Sequence, residues 1–265
     1  MSRLGLRNPV VILGALGVLA VVVVIVVING GEDSGVQDKT VVGRWSEASG
    51  DGLIEFQGDG SVLIQEGNTA LTGMYDGSKL LVEDSPGTAL EYDVDVSGNQ
   101  LTLTDAEGAT TLYFPEYPFP VQTFEDQGTE HLEPDQTYDL YNSDPPTTGP
   151  HAPAPAEFGV HDMPVAKEVL PHNMEHGGVI VLYDCSAGVA PLDDAGCQNL
   201  RDQLEAITEE NVADGKLVLM APYSGMEHPI VLTAWRTLDA FDQFDEQRVQ
   251  AFIDSFDRKF NPEGF

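Results

Sequence analysis

The sequence predicts an α+β protein in three parts. These are an N-terminal transmembrane helix, a small antiparallel β-meander barrel, and a compact α+β domain preceded by a proline-rich wrapping segment. Three observations predict this organisation. Residues 9–28 are apolar and uncharged, residues 41–114 alternate apolar and polar positions between closely spaced turns, and the chain after residue 170 mixes strand and helix patterns. The predicted parts are 1–8 cytoplasmic, 9–28 transmembrane, 29–40 a tether, 41–114 the barrel, 115–130 a linker and 131–265 the α+β domain.

The apolar run 9–28 has the length of a membrane anchor, because about 20 helical residues rise about 30 Å. A cleaved secretory signal is the alternative, but its apolar region is about 7–15 residues long. Arg3 and Arg7 precede the run, and Glu32 and Asp33 follow it. Positive charge stays on the cytoplasmic side, so we expect a single-pass cell-membrane protein whose folded domains are extracytoplasmic.

The charge of the chain is strongly acidic, with 44 acidic against 12 basic residues and a formal net charge of −32. Such a surface repels nucleic acid, which we exclude as a partner. Because 42% of the residues are hydrophobic, we expect a folded protein rather than a disordered acidic chain. An acidic coat on a folded domain is typical of a halophile, where salt screens the repulsion. A cation-attracting surface in an ordinary organism is the alternative.

The barrel prediction rests on turn signals such as Gly58-Asp59-Gly60 and Ser97-Gly98-Asn99 between alternating strands. The opening Gly43-Arg44-Trp45 resembles the Gly-x-Trp start of small lipocalin-like domains. That resemblance implies a place for a small ligand. A barrel of this size is more often filled by its own side chains.

The α+β domain is predicted to hold three to five strands and two main helices. The predicted strands are Gly178–Tyr183, Lys216–Met220 and Ile230–Trp235, and the predicted helices are Cys197–Val212 and Asp245–Phe260. Residues 131–171 have many prolines and little periodicity. They cannot form a core of their own, so we expect them to lie across the domain.

Cys185 and Cys197 are the two cysteines, and outside the cytoplasm such a pair normally forms a disulfide. The alternative is that the two cysteine thiols bind a metal ion. The order strand, cysteine, cysteine, helix also occurs in thioredoxin-type proteins, but there the cysteines are close together on the helix tip. A thiol-disulfide enzyme is therefore a further alternative.

All six histidines follow residue 130, and His172 and His176 are four residues apart in LPHNMEHGG. That spacing places both rings on one face of a helical turn, which suits one metal ion. We predict that His131, His151, His172 and His176 converge on one site. Met226 and His228 in GMEHP are further predicted ligands. Imidazole with thioether sulfur favours copper over hard cations, and zinc is the alternative with imidazole and carboxylate ligands. In the alternative interpretation, the histidines bond backbone carbonyls and the methionines fill the core.

Residues 130–265 resemble the family known as domain of unknown function 3105 (DUF3105). The matching segments are His131-Leu132, Tyr141–Asp144 with PPTTGPH up to His151, Phe158–Pro164, Leu170–Val179, Pro222-Tyr223, Pro229–Trp235 and Phe244–Glu246. The resemblance implies histidines at 131, 151, 172 and 176 and, often, one preceding membrane helix. The chain departs from the family at Met174, His161 and His228, so the resemblance supports no role for these three.

The function that these patterns favour is an extracytoplasmic metal-binding protein, a carrier, sensor or scavenger of copper or zinc. A non-enzymatic envelope interaction module with structural histidines is the first alternative. A metal-dependent enzyme in which Glu175 shuttles protons is the second. No established catalytic motif is present, and neither the substrate nor the protein partners can be read from the sequence.

Overall fold

The computed structural model describes residues 41–85, 88–134, 136–188 and 191–260. The chain divides into two compact units between Tyr113 and Phe114. The predicted membrane helix 9–28 and its flanks 1–8 and 29–40 lie outside the described residues. Within the described ranges, no helix combines the length and apolarity needed to cross a membrane.

The first unit is a closed antiparallel barrel whose eight strands are neighbours in chain order. This confirms the predicted β-meander. Alternation along the strands builds the core, since Ile54 and Phe56 point inward and pair with inward-facing Ile64 and Val62. The strands are β1 Gly43–Glu47, β2 Leu53–Phe56, β3 Ser61–Glu66, β4 Thr69–Tyr75, β5 Lys79–Ser85, β6 Thr88–Ser97, β7 Gln100–Thr104 and β8 Thr110–Pro115.

Trp45 of the Gly-x-Trp opening lies in the barrel interior, where it is 5% exposed. Its indole Nε1 donates to the Val41 carbonyl oxygen at 2.9 Å. Phe56 and Tyr75 make an edge-to-face contact with 5.4 Å between ring centroids. Aromatic and aliphatic side chains thus form the core of this unit.

The second unit is built on a six-stranded mixed sheet in the order β10-β12-β11-β13-β14-β9. Its strands are β9 Gln122–Thr123, β10 Gly159–Val160, β11 Val179–Tyr183, β12 Val218–Pro222, β13 Ile230–Ala234 and β14 Thr237–Phe241. The predicted count of three to five was too low, because two short edge strands and β14 were missed. β9 also lies in the segment 115–130 predicted as a linker, and it pairs with β14.

The missed strand β14 follows β13 through a turn of only two residues, Trp235 and Arg236. Ala234 pairs with Thr237, and Arg236 has a φ of 62°. Such a tight hairpin turn usually carries glycine or asparagine. Because neither glycine nor asparagine is present in this turn, the sequence pattern predicted one strand here and not a hairpin of two.

Three helices complete the unit: α1 Leu170–Glu175, α2 Asp194–Ala213 and α3 Glu246–Phe256. Asp193 and Asp245 cap α2 and α3 by accepting from the N–H groups of Gly196 and Arg248. Helix α3 ends four residues before its predicted end at Phe260, and the Asp257 carboxylate instead accepts from Leu217 N–H at 2.9 Å.

The disulfide between Cys185 and Cys197 is confirmed. Cys185 lies just after β11, and Cys197 lies in the first turn of α2. The bond therefore joins the end of a central strand to the start of α2, the longest helix among the described residues.

The wrapping segment lies across the second unit, as predicted. Pro145 to Gly149 are buried, and Thr147 accepts from Arg236 N–H at 3.0 Å through its carbonyl oxygen. The Asp126 carboxylate accepts from Thr148 Oγ1 at 2.8 Å and from Trp235 Nε1 at 3.3 Å. The β13–β14 hairpin turn thus holds the segment in place.

Candidate metal centre

The short helix α1 positions two of the four histidines predicted to converge, with His172 inside the helix and His176 as its C-cap residue. The His176 N–H donates to the His172 carbonyl oxygen at 3.2 Å, so the two rings lie one turn apart on one face. Their Nε2 atoms are 2.9 Å apart. This confirms the predicted helical turn.

The glycines that follow α1 end the helix in a crowded place. Gly177 has a φ of +85°, and a Cβ atom there would lie 2.8 Å from the Arg258 Cα atom. A Cβ atom on Gly178 would lie 2.6 Å from the Asn173 carbonyl oxygen and 2.6 Å from Phe158 Cε1. Only glycine lets the chain leave the helix here and enter β11.

His131 and His151 are brought together by a parallel β-bridge between the two ends of the wrapping segment. Leu132 N–H donates to the His151 carbonyl oxygen at 2.7 Å, and His151 N–H donates to the Glu130 carbonyl oxygen at 3.0 Å. The next residue, Ala152, donates its N–H to the Glu168 carbonyl oxygen at 2.7 Å. The bridge is thereby joined to the segment that leads into α1.

Three of the four histidines predicted to converge form one group, and His176 lies beside it. One ring nitrogen from each of His131, His151 and His172 lies within 4.8 Å of the other two. The centroid of the His172 ring is 5.1 Å from that of His131, 4.9 Å from that of His151 and 4.7 Å from that of His176. His151 and His172 are buried and His131 is exposed, so the cluster reaches the surface at His131.

The two buried rings have their orientation fixed by backbone carbonyls. His151 Nδ1 donates to the Gly149 oxygen at 2.9 Å, and His172 Nδ1 donates to the Ala152 oxygen at 2.7 Å. A carbonyl oxygen only accepts, so in each neutral ring the proton is on Nδ1 and the lone pair is on Nε2. Backbone carbonyl oxygens therefore hold the Nδ1–H groups of both rings, which is common for metal-binding histidines.

Burial lowers the pKa of both His151 and His172, although the hydrogen bonds to the carbonyl oxygens of Gly149 and Ala152 oppose the shift. The neighbouring imidazoles lower the pKa further. Both rings are therefore kept neutral, which is the form that binds a metal ion.

The Glu175 carboxylate, 7% exposed, stands next to this cluster. Its Oε2 atom is 3.0 Å from His151 Nε2. That distance would suit a hydrogen bond, yet His151 Nε2 makes none with any described residue. With the His151 proton on Nδ1, the contact places a lone pair against a carboxylate oxygen. An ion between or beside them would satisfy both atoms.

The donor set fits a first-row transition metal. Imidazole nitrogen bound at about 2.0–2.1 Å in a tetrahedral shell gives nitrogen separations of about 3.4 Å. The three rings would therefore close by about 1.5 Å or less. Such a closure requires side-chain adjustment rather than rearrangement of the bridge or of α1.

Met226 and His228, the other predicted ligands, are placed differently. Met226 is 8% exposed and packs in an apolar cluster with Leu170, Met174 and Trp235. His228 pairs through Nδ1 with the Asp242 carboxylate at 2.7 Å. In the part of the chain that the structure describes, it does not belong to the three-histidine group.

His228 and Met226 instead line a separate open cavity of about 370 Å³. Asp144 and Glu227 lie on its wall, and Val231 and Leu238 belong to its apolar lining. The Asp144 carboxylate also accepts from the Tyr223 hydroxyl. His161, the sixth histidine, bonds through Nε2 to the Glu157 carbonyl oxygen at 2.8 Å.

Comparison with known proteins identifies a family. The family described as "Protein of unknown function (DUF3105)" matches residues 131–264. These residues contain the four histidines predicted to converge, Glu175 and the disulfide. No curated protein and no solved structure matches the chain significantly.

Proposed function

Since the chain belongs to the DUF3105 family, whose description states no activity, function has to be inferred from the site, and we propose that this protein binds a first-row transition metal. The ligands are Nε2 of His151, Nε2 of His172 and a ring nitrogen of His131. The observation that carries the proposal is that one ring nitrogen from each of the three histidines lies within 4.8 Å of the other two. The Nδ1–H groups of the two buried rings are already held by backbone oxygens.

Two features support a metal site over histidines that only order a loop. A loop-ordering histidine needs its carbonyl bond, but it does not need its second nitrogen to face other imidazoles. Here the second nitrogens of His151 and His172 both face the cluster, and His151 Nε2 is buried without a hydrogen-bond partner among the described residues. Leaving such an atom unsatisfied costs about 1–3 kcal/mol, which a bound ion would remove.

The sequence favoured copper because thioether sulfur was expected beside the imidazoles. Met226 lies in an apolar cluster, so this support for copper is lost. Imidazole nitrogen alone suits both Cu²⁺ and Zn²⁺. The proposal therefore covers a borderline transition metal, and the identity of the ion is an outcome of the experiment.

The test is metal titration of the full-length chain, purified in mild detergent and stripped with a chelator. Calorimetry with Zn²⁺ and Cu²⁺ in about 1 M salt suppresses weak binding to the acidic surface. We expect one tight site. The variant H151Q/H172Q should lose it, whereas H161Q/H228Q, which removes two histidines outside the cluster, should keep it.

Binding that survives in H151Q/H172Q would place the metal elsewhere and overturn the proposal. If the unaltered chain binds neither ion, the proposal is overturned. The histidines would then be structural, and the non-enzymatic envelope interaction module would be the favoured function. Thermal unfolding of each variant shows whether loss of binding reflects loss of fold.

We further propose that the domain acts outside the cytoplasm, anchored by the helix predicted at 9–28. The support is the length of that apolar run, the arginines before it, and the disulfide Cys185–Cys197, since such bonds persist in oxidising compartments. If the chain carries a C-terminal tag, protease treatment of intact cells that express it should remove the tag. Protection of the tag until the cells are lysed would contradict this orientation.

A further inference from the structure

We propose that Glu175 is the anionic ligand of this centre and the residue that makes it select divalent ions over Cu⁺. The inference rests on the proposed metal binding and adds the class of ion that the site takes. It also changes the role of Glu175 from the proton shuttle considered from the sequence to a ligand.

The position of the carboxylate is that of a neighbouring ligand. Glu175 Oε2 lies 3.0 Å from His151 Nε2, the atom that the Gly149 carbonyl leaves with its lone pair directed into the cluster. Two donors bound to one ion at about 2.0–2.2 Å and adjacent in its shell are about 3.0–3.5 Å apart. An ion held by His151 therefore lies within reach of Glu175.

The ion-pair contact of the Glu175 carboxylate is with His151 Nε2. The carboxylate is 7% exposed, and among the described residues no lysine or arginine pairs with it and no backbone N–H donates to it. Other buried carboxylates of this unit are satisfied. Asp239 pairs with Arg248 Nε at 2.7 Å, and Asp257 pairs with Arg258 at 2.7 Å and accepts from Leu217 N–H. Glu175 is the exception, and a bound cation would supply the missing charge.

One carboxylate among neutral imidazoles sets the charge preference of the site. Attraction between a carboxylate and an ion grows with the charge of the ion, so the carboxylate favours an ion of charge +2 over one of charge +1. Carboxylate oxygen is also a hard ligand, whereas Cu⁺ prefers the soft sulfur ligands that the converging set lacks. His176 Nε2, 2.9 Å from His172 Nε2, places a further imidazole beside the site.

The experiment compares E175Q with E168Q in the full-length chain. Glutamine keeps the size of glutamate and removes its charge. Glu168 is the matched control, because it is also buried and lies on the segment before α1, but its carboxylate accepts from Tyr138 N–H at 3.1 Å. Affinities are measured for Zn²⁺ and Co²⁺, and for Cu⁺ under anaerobic conditions. The visible spectrum of bound Co²⁺ reports on its ligands.

We expect E175Q to weaken Zn²⁺ and Co²⁺ binding by at least about 10–100-fold. It should change Cu⁺ affinity by less than about threefold and alter the Co²⁺ spectrum, whereas E168Q should do none of these. A loss of Zn²⁺ affinity below about threefold, with an unchanged Co²⁺ spectrum, would overturn the role of Glu175. In that case the three histidines would still bind, so the proposed function would stand.

If E175Q does not fold, a crystal structure of the Zn²⁺-loaded unaltered chain decides the matter. Glu175 Oε2 within about 2.2 Å of the ion supports the proposal. An ion held by histidines with the carboxylate outside its shell overturns it. Failure of the unaltered chain to bind any ion would instead overturn the proposed function itself.

Discussion

His172 and His176 face each other through their Nε2 atoms at 2.9 Å, one helical turn apart. Because His172 Nδ1 donates to the Ala152 oxygen at 2.7 Å, its Nε2 accepts and His176 donates when no metal is bound. This arrangement needs a neutral His172. Protonation would set two N–H groups against each other, so the cluster loses its internal bonding in acid.

The metal-free protein should lose stability as the pH falls below about 6.5. Burial lowers the pKa of His151 and His172 in the folded state below the ordinary 6.5. The unfolded chain therefore binds more protons than the folded chain in this range, and stability is lost from the unfolded pKa downward to the folded one. Urea unfolding at a series of pH values measures the slope of the free energy of unfolding against pH.

The matched variants for this pH dependence are H151Q/H172Q and H161Q. The first should flatten the slope between about pH 5 and 7, where histidine titrates, and the second should leave it unchanged. An equal slope in the unaltered chain and in H151Q/H172Q would show that the buried histidines do not carry the effect.

Alanine at Gly177 should cost far more stability than alanine at Gly215. The two residues have nearly the same φ, +85° and +86°. A Cβ atom at Gly177 would meet the Arg258 Cα atom at 2.8 Å, whereas at Gly215 nothing lies within 4 Å. We expect about 1–2 kcal/mol for G215A from the left-handed conformation alone, and about 1–3 kcal/mol more for G177A.

G177A should also weaken metal binding, because Gly177 fixes the end of the helix that carries His172 and His176. Chemical unfolding and metal titration of both variants provide the comparison. Equal destabilisation by the two substitutions would mean that the backbone around Arg258 shifts to accommodate the added methyl group with no loss of stability.

Removing the disulfide in C185A/C197A should lower the free energy of unfolding by about 3 kcal/mol, since the bond closes a loop with a sequence separation of 12. Metal affinity should change by less than about twofold, because the bond joins β11 to α2 and neither carries a proposed ligand. Loss of metal binding in this variant would show that the disulfide and the proposed metal site are not independent.

Asp126 should stabilise the segment that delivers His131 and His151. Its carboxylate accepts from Gly128 N–H at 2.8 Å, from Thr148 Oγ1 at 2.8 Å and from Trp235 Nε1 at 3.3 Å. Substitution D126A leaves these donors unsatisfied and should cost about 1–3 kcal/mol. The exposed pair Asp162–Arg201 offers the control D162A, which should cost less than about 0.5 kcal/mol.

Asp126 also gives a pH dependence of its own. Burial raises its pKa, but the hydrogen bonds from Gly128, Thr148 and Trp235 outweigh burial, so the pKa lies below the ordinary 3.8. Its contribution is therefore present above about pH 4 and lost as the pH falls through the lower folded value. Below pH 4, the free energy of unfolding should therefore fall less steeply with decreasing pH in D126A than in the unaltered chain. An equal fall in both proteins would show that other carboxylates dominate the loss of stability in acid.

Local patterns in the sequence determined much of this protein. Alternation and turn residues predicted the barrel at 41–114, the spacing of His172 and His176 predicted their shared face, and the exported character predicted the disulfide. These features depend on neighbours within about four residues, or on composition, which a sequence displays directly. The membrane helix at 9–28 stays a prediction, as does the halophilic origin.

Tertiary structure alone decided which atoms meet at the site. The bridge between His131 and His151 spans a non-periodic segment, and Thr147 and Asp126 bond the surrounding chain to the β13–β14 turn. The carbonyls of Gly149 and Ala152, which orient the rings, carry no side-chain signal. Packing buries Glu175 against His151 and moves Met226 into the apolar cluster. Long-range pairing and burial depend on the whole packed domain, so residue types and spacing alone do not specify them.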